Sequence, residues 1–307
     1  SAVLLARSVA SKPRPDWKRF FARRVERTFV PYLVWTCIYI AFRVLWLRAP
    51  SDVSPTQLAI PAVGTITMPE LLTPGRIWIN VVWGKAYYHI YFLVILLQFS
   101  LIFPLLFAAM KRWRISFLQA VGLGAVVQAA AFYAQRHLIP VPYPASTVLW
   151  YCMPVIVGMW IGLNWSEWDG VWRKWRWAMA AAAIAGLAMY LPAALAMYLN
   201  KPISNDLYHA GISVYCLGIA LLLLALSRTL GSVRGLGRFL QRVGDRSIAF
   251  FLIHPLVLFF LGGPKVTWLM ERAILPPLAL ALVMFAVTWA LSEASRLSRA
   301  DRVLFGR

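Results

Sequence analysis

Long apolar runs, separated by short basic or proline-rich stretches, organise this chain. Eight of them read as membrane spans: Phe29–Leu47, His89–Met110, Ile115–Tyr133, Thr147–Leu163, Trp177–Leu199, Leu207–Leu226, Ser247–Gly263 and Ile274–Glu293. Each has about 17–23 residues, the length that a helix needs to cross a hydrocarbon core. No two-residue alternation of apolar and polar positions competes, which argues against strands and against a β-barrel. The pattern predicts an all-α, polytopic transmembrane helical bundle.

Composition agrees. Hydrophobic residues make up 61% of the 307 and charged residues only 14%, against about 45–50% and 25% in soluble domains. A soluble globular fold and a disordered chain are both excluded. Three cysteines cannot build a disulfide framework. Cys37, Cys152 and Cys216 stand singly in separate spans and read as small packing residues. Without HExxH or CxxC spacing, no metal site is expected.

The net charge of +20 takes its meaning from where it falls. Of 31 Lys and Arg, 23 lie before the first span or after the second, fourth, sixth and eighth. Only six lie on the opposite side, at Arg76, Lys85, Arg136, Lys201, Lys265 and Arg272. This alternation follows the positive-inside rule and puts the basic side in the cytoplasm. It accounts for most of the charge, so nucleic acid is not an expected partner. Three regions follow: a basic cytoplasmic arm over 1–28, a transmembrane domain over 29–293 and a basic cytoplasmic tail over 294–307. Residues 48–88 form the largest outer loop, rich in proline and ending in aromatics that suit the membrane interface.

The acids all fall in loops or at span ends, which disfavours proton-coupled transport through intramembrane carboxylates. Paired-carboxylate hydrolysis has no buried pair to use. GxSxG and P-loop motifs are absent. Four histidines remain. His89 sits at the outer end of the second span, and His254 lies inside the seventh. His137 is in an outer loop and His209 opens the sixth span. An imidazole can serve as a general base near neutral pH, and an ionisable group within a span is a functional candidate. Bonding to a backbone carbonyl, or a place among the headgroups, reads equally well from chemistry alone. Before the first span, Arg24 and Arg27 are three apart and share a helical face. Such a pair fits phosphate oxygens, in a ligand or in lipid headgroups.

Four segments carry a likeness to a known family. They are Phe20–Tyr32 with its Arg-x-x-Arg entry, His89-Ile90-Tyr91-Phe92-Leu93 followed by Pro104, Trp150–Gly162, and Val243–Pro255 with its Gly-x-x-Ser…Leu-Ile-His run. Together they resemble the membrane-bound acyltransferase-3 family, whose members O-acylate cell-surface glycans. The resemblance implies transfer of an acyl group, acetyl above all, from cytoplasmic acyl-CoA to a hydroxyl of an extracytoplasmic glycan, in the bacterial inner membrane. It implies that Arg24 and Arg27 hold the CoA phosphates, that His89 and His254 are catalytic positions, and that no metal takes part. Arg43 is a candidate donor to the acyl oxyanion. The family's first helix, with an Arg and a His about ten residues apart, has no counterpart before residue 29; Ser1–Leu5 resembles its tail. The family's usual ten spans point to a ninth here, within 76–88. Two other readings stay open: a glycan or lipid exporter without chemistry, and an inactive, truncated family member.

Overall fold

A computed structural model describes residues 1–46, 72–199, 201–261, 276–297 and 300–306. Its helices are α1 (Ala2–Ala10), α2 (Trp17–Arg24), α3 (Val30–Trp46), α4 (Pro74–Val82), α5 (Tyr91–Trp113), α6 (Phe117–His137), α7 (Cys152–Leu163), α8 (Trp168–Tyr198), α9 (Asn205–Ser232), α10 (Leu236–Asp245), α11 (Ser247–Leu261), α12 (Pro276–Leu297) and α13 (Asp301–Phe305). A π-helical turn, Val25–Phe29, joins α2 to α3. Among the described residues there is no strand, in keeping with the all-α expectation.

Hydrocarbon offers no hydrogen-bond partner, so a spanning segment must satisfy its backbone internally, and helices do this. Their starts carry capping residues. Asp16 accepts from the Arg19 N–H at 2.9 Å. Ser116 and Gln119 form a reciprocal capping box on α6. Large apolar side chains also cover the outside: Leu105 is 74% exposed and Ile184 69%. A helix that is apolar outward as well as inward belongs in lipid. The protein is therefore an integral membrane protein.

Six described helices are long and apolar enough to cross a membrane, or seven if the bent pair α10–α11 forms one span. This is fewer than the expected eight to nine. The segment read as Thr147–Leu163 holds only a 12-residue α-helix, α7, after two 3-10 turns at Pro144–Ser146 and Val148–Tyr151. Within 76–88, α4 ends at Val82 after nine residues, too few to span. The first span starts earlier than expected, because α2 and the π turn extend it back to Trp17. Residues 47–71, most of the proline-rich outer loop, lie outside the described residues, as do Lys265 and Arg272.

The chain forms two compact units. The first comprises Ser1–Pro15, Pro104–Pro142 and Leu149–Gln241. In it α1 packs on α7, α7 on α6, and α8 on α9. Gly158 and Gly162 let α1 approach: a Cβ on Gly158 would fall 3.0 Å from that of Ala2, and one on Gly162 would meet the α1 backbone. Ion pairs tie helix ends together, Arg136 with Asp206 and Arg228 with Asp169. The second unit comprises Asp16–Phe103, Tyr143–Val148 and Arg242–Arg307. Its core gathers Tyr32, Trp35, Tyr39 and Phe42 from α3, Tyr87 and Ile90 from the loop before α5, Leu252 and Val257 from α11, and Phe305.

One face of α3 also acts as a row of donors. The Tyr32 hydroxyl donates to the Val81 carbonyl, the Trp35 Nε1–H to the Leu304 carbonyl at 2.8 Å and the Tyr39 hydroxyl to the Leu252 carbonyl at 2.7 Å. At spacings of three and four these residues share one face. They bind α3 to α4, α13 and α11.

The irregular stretch before α7 is held by two carboxamides. In the second unit, Gln98 donates to the Ser146 carbonyl (3.1 Å) and accepts from the Val148 N–H (2.7 Å). In the first, Gln128 donates to the Trp150 carbonyl (2.8 Å) and accepts from the Met153 N–H (3.1 Å). Each replaces backbone bonds that the broken helix lacks. Gln128→Leu should destabilise the protein by about 1–3 kcal/mol for each buried group left unpaired. Val126→Ala, on the same helix and exposed, should do little. Thermal denaturation in detergent decides it; equal shifts for the two variants would discard this role for Gln128.

Candidate functional site

The candidate chemistry lies in the second unit, at two places along the same helices. The first is built on the loop 83–90 between α4 and α5. Gly84 opens it at φ +64°, a left-handed conformation that glycine adopts without strain. A Cβ there would also fall 2.7 Å from the Tyr91 backbone nitrogen. The turn folds the next residues inward, so that Ala86, Tyr87, His89 and Ile90 are all buried.

His89 is 5% exposed and stands in a cage of rings. Its centroid lies 5.0 Å from those of Tyr39 and Phe251, 5.3 Å from Tyr88 and 5.9 Å from Tyr87. The His254 ring is 5.5 Å away. Among the described residues, neither ring nitrogen of His89 has a hydrogen-bond partner. A buried polar atom without a partner is costly and asks for a ligand or a role. His254 is different. Its Nδ1 lies 3.0 Å from the Phe250 carbonyl one turn back on α11. A carbonyl only accepts, so Nδ1 carries the proton and the neutral ring keeps a lone pair on Nε2. The pair thus offers a base of fixed tautomer beside an imidazole whose nitrogens no described residue engages.

Arg43, near the end of α3, is 7% exposed and donates from Nη1 to the Ala86 carbonyl at 3.4 Å, three residues before His89. Among the described residues no carboxylate pairs with it. A buried guanidinium is unfavourable unless hydrogen bonds or an anion compensate it.

The second place is a cavity of about 1070 Å³ at the other end of α3 and α11. Five arginines line it: Arg24 and Arg27 from α2 and the π turn, Arg242 from α10, Arg246 between α10 and α11, and Arg296 from α12. Arg246 is spent on structure. It pairs with Glu293 at 3.0 Å and Asp301 at 3.4 Å and donates to the Ser292 carbonyl at 3.1 Å. Among the described residues no carboxylate pairs with Arg24, Arg27 or Arg242. The Nε of Arg24 is buried without a partner among the described residues. The π turn begins directly after Arg24 and carries Arg27, and both line the cavity; such turns recur at functional sites. Phe305 and Gly306 close the wall, and a Cβ on Gly306 would fall 2.8 Å from the Arg27 carbonyl oxygen.

A family model described as an acyltransferase domain matches residues 1–293. The chain belongs to the acyltransferase-3 family. No curated protein and no solved structure matches it. In this acyltransferase-3 chain the last turn of α12 and all of α13 lie past the matched residues, yet Arg296, Asp301 and Phe305 line the cavity.

The sequence-level site residues sort accordingly. His89 and His254 meet although distant in the chain, and Arg24 and Arg27 share the cavity. His137 and His209 belong to the first unit. The His137 ring lies 4.7 Å from that of Tyr133, the His209 ring meets that of Trp150 edge-on at 4.9 Å, and neither is among the residues of these two places. From the sequence, Arg242 and Arg296 register only as part of the basic side. The signal that could have found the first of them is spacing, since Arg242 and Arg246 are four apart at the end of an amphipathic helix.

Burial of His89 has a direct readout. Diethyl pyrocarbonate should modify it roughly tenfold or more slowly than exposed His137, the protection that about 1.4 kcal/mol of local opening confers. Gly84→Ala, strained by about 1–3 kcal/mol, should raise the His89 rate and leave that of His137 alone. Peptide mass spectrometry reads both rates. Equal labelling in the wild type would refute the buried cage.

Proposed function

We propose that this protein is an O-acyltransferase that carries an acyl group, acetyl above all, from cytoplasmic acyl-CoA to a hydroxyl of an extracytoplasmic glycan. On this reading it resides in the bacterial inner membrane, with Ser1 and Arg307 both on the cytoplasmic side. The observation that carries it is the alignment of the two places. Ile248 lines the arginine cavity, and His254 lies six residues further along the same helix, about 9 Å. Leu96 lines it too, seven residues after His89. A donor anchored by phosphates in the cavity would send its pantetheine arm and thioester along α11 to the histidine pair.

The chemistry follows from the side chains. The acceptor hydroxyl gives its proton to His254 Nε2 as its oxygen attacks the thioester carbonyl. The negative charge that develops on the carbonyl oxygen needs a donor. His89 stands by the base with nitrogens to offer, and Arg43 brings the buried positive charge. The tetrahedral intermediate then collapses, the C–S bond breaks, and the CoA thiolate leaves with the proton that His254 held. Arg24 and Arg27 hold the CoA phosphates through charge-assisted bonds. The aromatic walls keep water, a competing nucleophile, from the thioester.

His254→Gln and His89→Gln should each reduce acyl transfer by about 10²–10⁴-fold. Both should keep acyl-CoA binding within a few fold. The paired change Arg24→Gln with Arg27→Gln should instead weaken acyl-CoA binding by roughly tenfold or more. Glycan acylation in cells, by mass spectrometry, and acyl-CoA binding to the purified protein separate these effects. Full acylation in both histidine variants would remove the pair from the mechanism. Glycan export that ignores acyl-CoA altogether would favour a carrier without chemistry.

A further inference from the structure

The cavity sets five arginines against three carboxylates, Asp245, Glu293 and Asp301, and its arginines fall into separate groups. Arg24 and Arg27 make one anion site. Arg242 and Arg296 lie apart from them in sequence and come from other helices, α10 and α12. Between them Arg246 is fixed by Glu293, Asp301 and the Ser292 carbonyl. Arg242 sits one turn before this post and donates none of the described ion pairs. Arg296 reaches Glu293 only at 3.9 Å and is 68% exposed, a pairing of little strength. Two guanidiniums thus flank a rigid ion cluster on the cavity wall, free to turn to a ligand. At about 1070 Å³ the cavity is as large as sites that enclose a whole cofactor.

Coenzyme A carries two separate phosphate groups, the diphosphate in its backbone and a monoester on the ribose. Resting on the acyl-CoA reading above, we propose that Arg242 and Arg296 hold the ribose 3′-phosphate, while Arg24 and Arg27 hold the diphosphate. The guanidinium fork matches a dianionic phosphate monoester better than an ammonium does. The site makes the enzyme discriminate acyl-CoA from donors that share its pantetheine and diphosphate but lack the ribose phosphate. Arg296 lies past the family-matched residues, so this subsite is one that the shared domain alone does not specify.

The test compares coenzyme A with 3′-dephospho-coenzyme A by calorimetry, on the full chain in phosphatidylcholine nanodiscs. Wild type should prefer coenzyme A by roughly tenfold. R242Q with R296Q should lose that preference and bind the dephospho form as wild type does, within about threefold. R24Q with R27Q should weaken both ligands and keep the preference. If the R242Q/R296Q protein does not fold, the two single variants carry the comparison, each cutting the preference in part. Wild type binding both ligands equally would overturn the subsite and leave the donor reading standing. Binding of neither would overturn both. A preference that survives R242Q/R296Q puts the ribose phosphate elsewhere and also overturns it. A preference that disappears once phosphatidylglycerol is added to the discs would assign the pair to lipid headgroups instead.

Discussion

In hydrocarbon, a backbone carbonyl without a donor is expensive, and this chain interrupts its regular helices at the places where it concentrates polar side chains. In the second unit the answer is one face of α3. Tyr32, Trp35 and Tyr39 each turn a single polar atom toward a carbonyl of a different neighbour. Each also buries an aromatic ring in the core. These side chains suit the task because one end is apolar and the other can donate. Tyr39 does the most. Its hydroxyl holds α11 two residues before His254, its ring stacks on Tyr87 at 4.5 Å, and its edge meets His89. The position of the histidine pair therefore follows from how α3 is pinned.

The arginine cavity is positioned by a different force. Arg246 is a buried cation whose two carboxylates come from α12 and α13. Ser295 reinforces Asp301 at 2.9 Å, and Arg302 reaches back to Glu26 at 2.7 Å. Breaking one partner of such a cluster leaves the others with uncompensated charge, so it acts as a single fastening. Arg24, Arg27 and Arg242, which no described carboxylate pairs, then line space that an anion can enter.

Much of this is legible from the residues. The apolar runs at α5, α6, α8 and α9 are long enough to leave no competing structure, and the helical class follows. Arg24 and Arg27 can be paired because their spacing is local. Boundaries fail where polar residues interrupt a helix without ending it. Arg23, Arg24 and Arg27 hide the continuation of the first span back to Trp17. The stretch before α7 reads as apolar, and only the partners Gln98 and Gln128, distant in sequence, reveal that it is not α-helical. The meeting of His89 with His254 depends on tertiary packing that no local period encodes. The tail reads as a basic cytoplasmic extension, although Leu304-Phe305 in a charged segment is a sign that it docks. Phe305 is 2% exposed.

That docking has a practical bearing on how the protein is handled. Gly306 adopts a left-handed backbone against Arg27, so any polypeptide joined after it departs from the rim of the arginine cavity. A purification tag or fluorescent fusion at that end would sit at the edge of this cavity, and a polyhistidine tag would bring imidazoles and bound metal to a surface rich in guanidiniums. An affinity handle belongs elsewhere on the molecule, or behind a protease site that is cut before any ligand is offered.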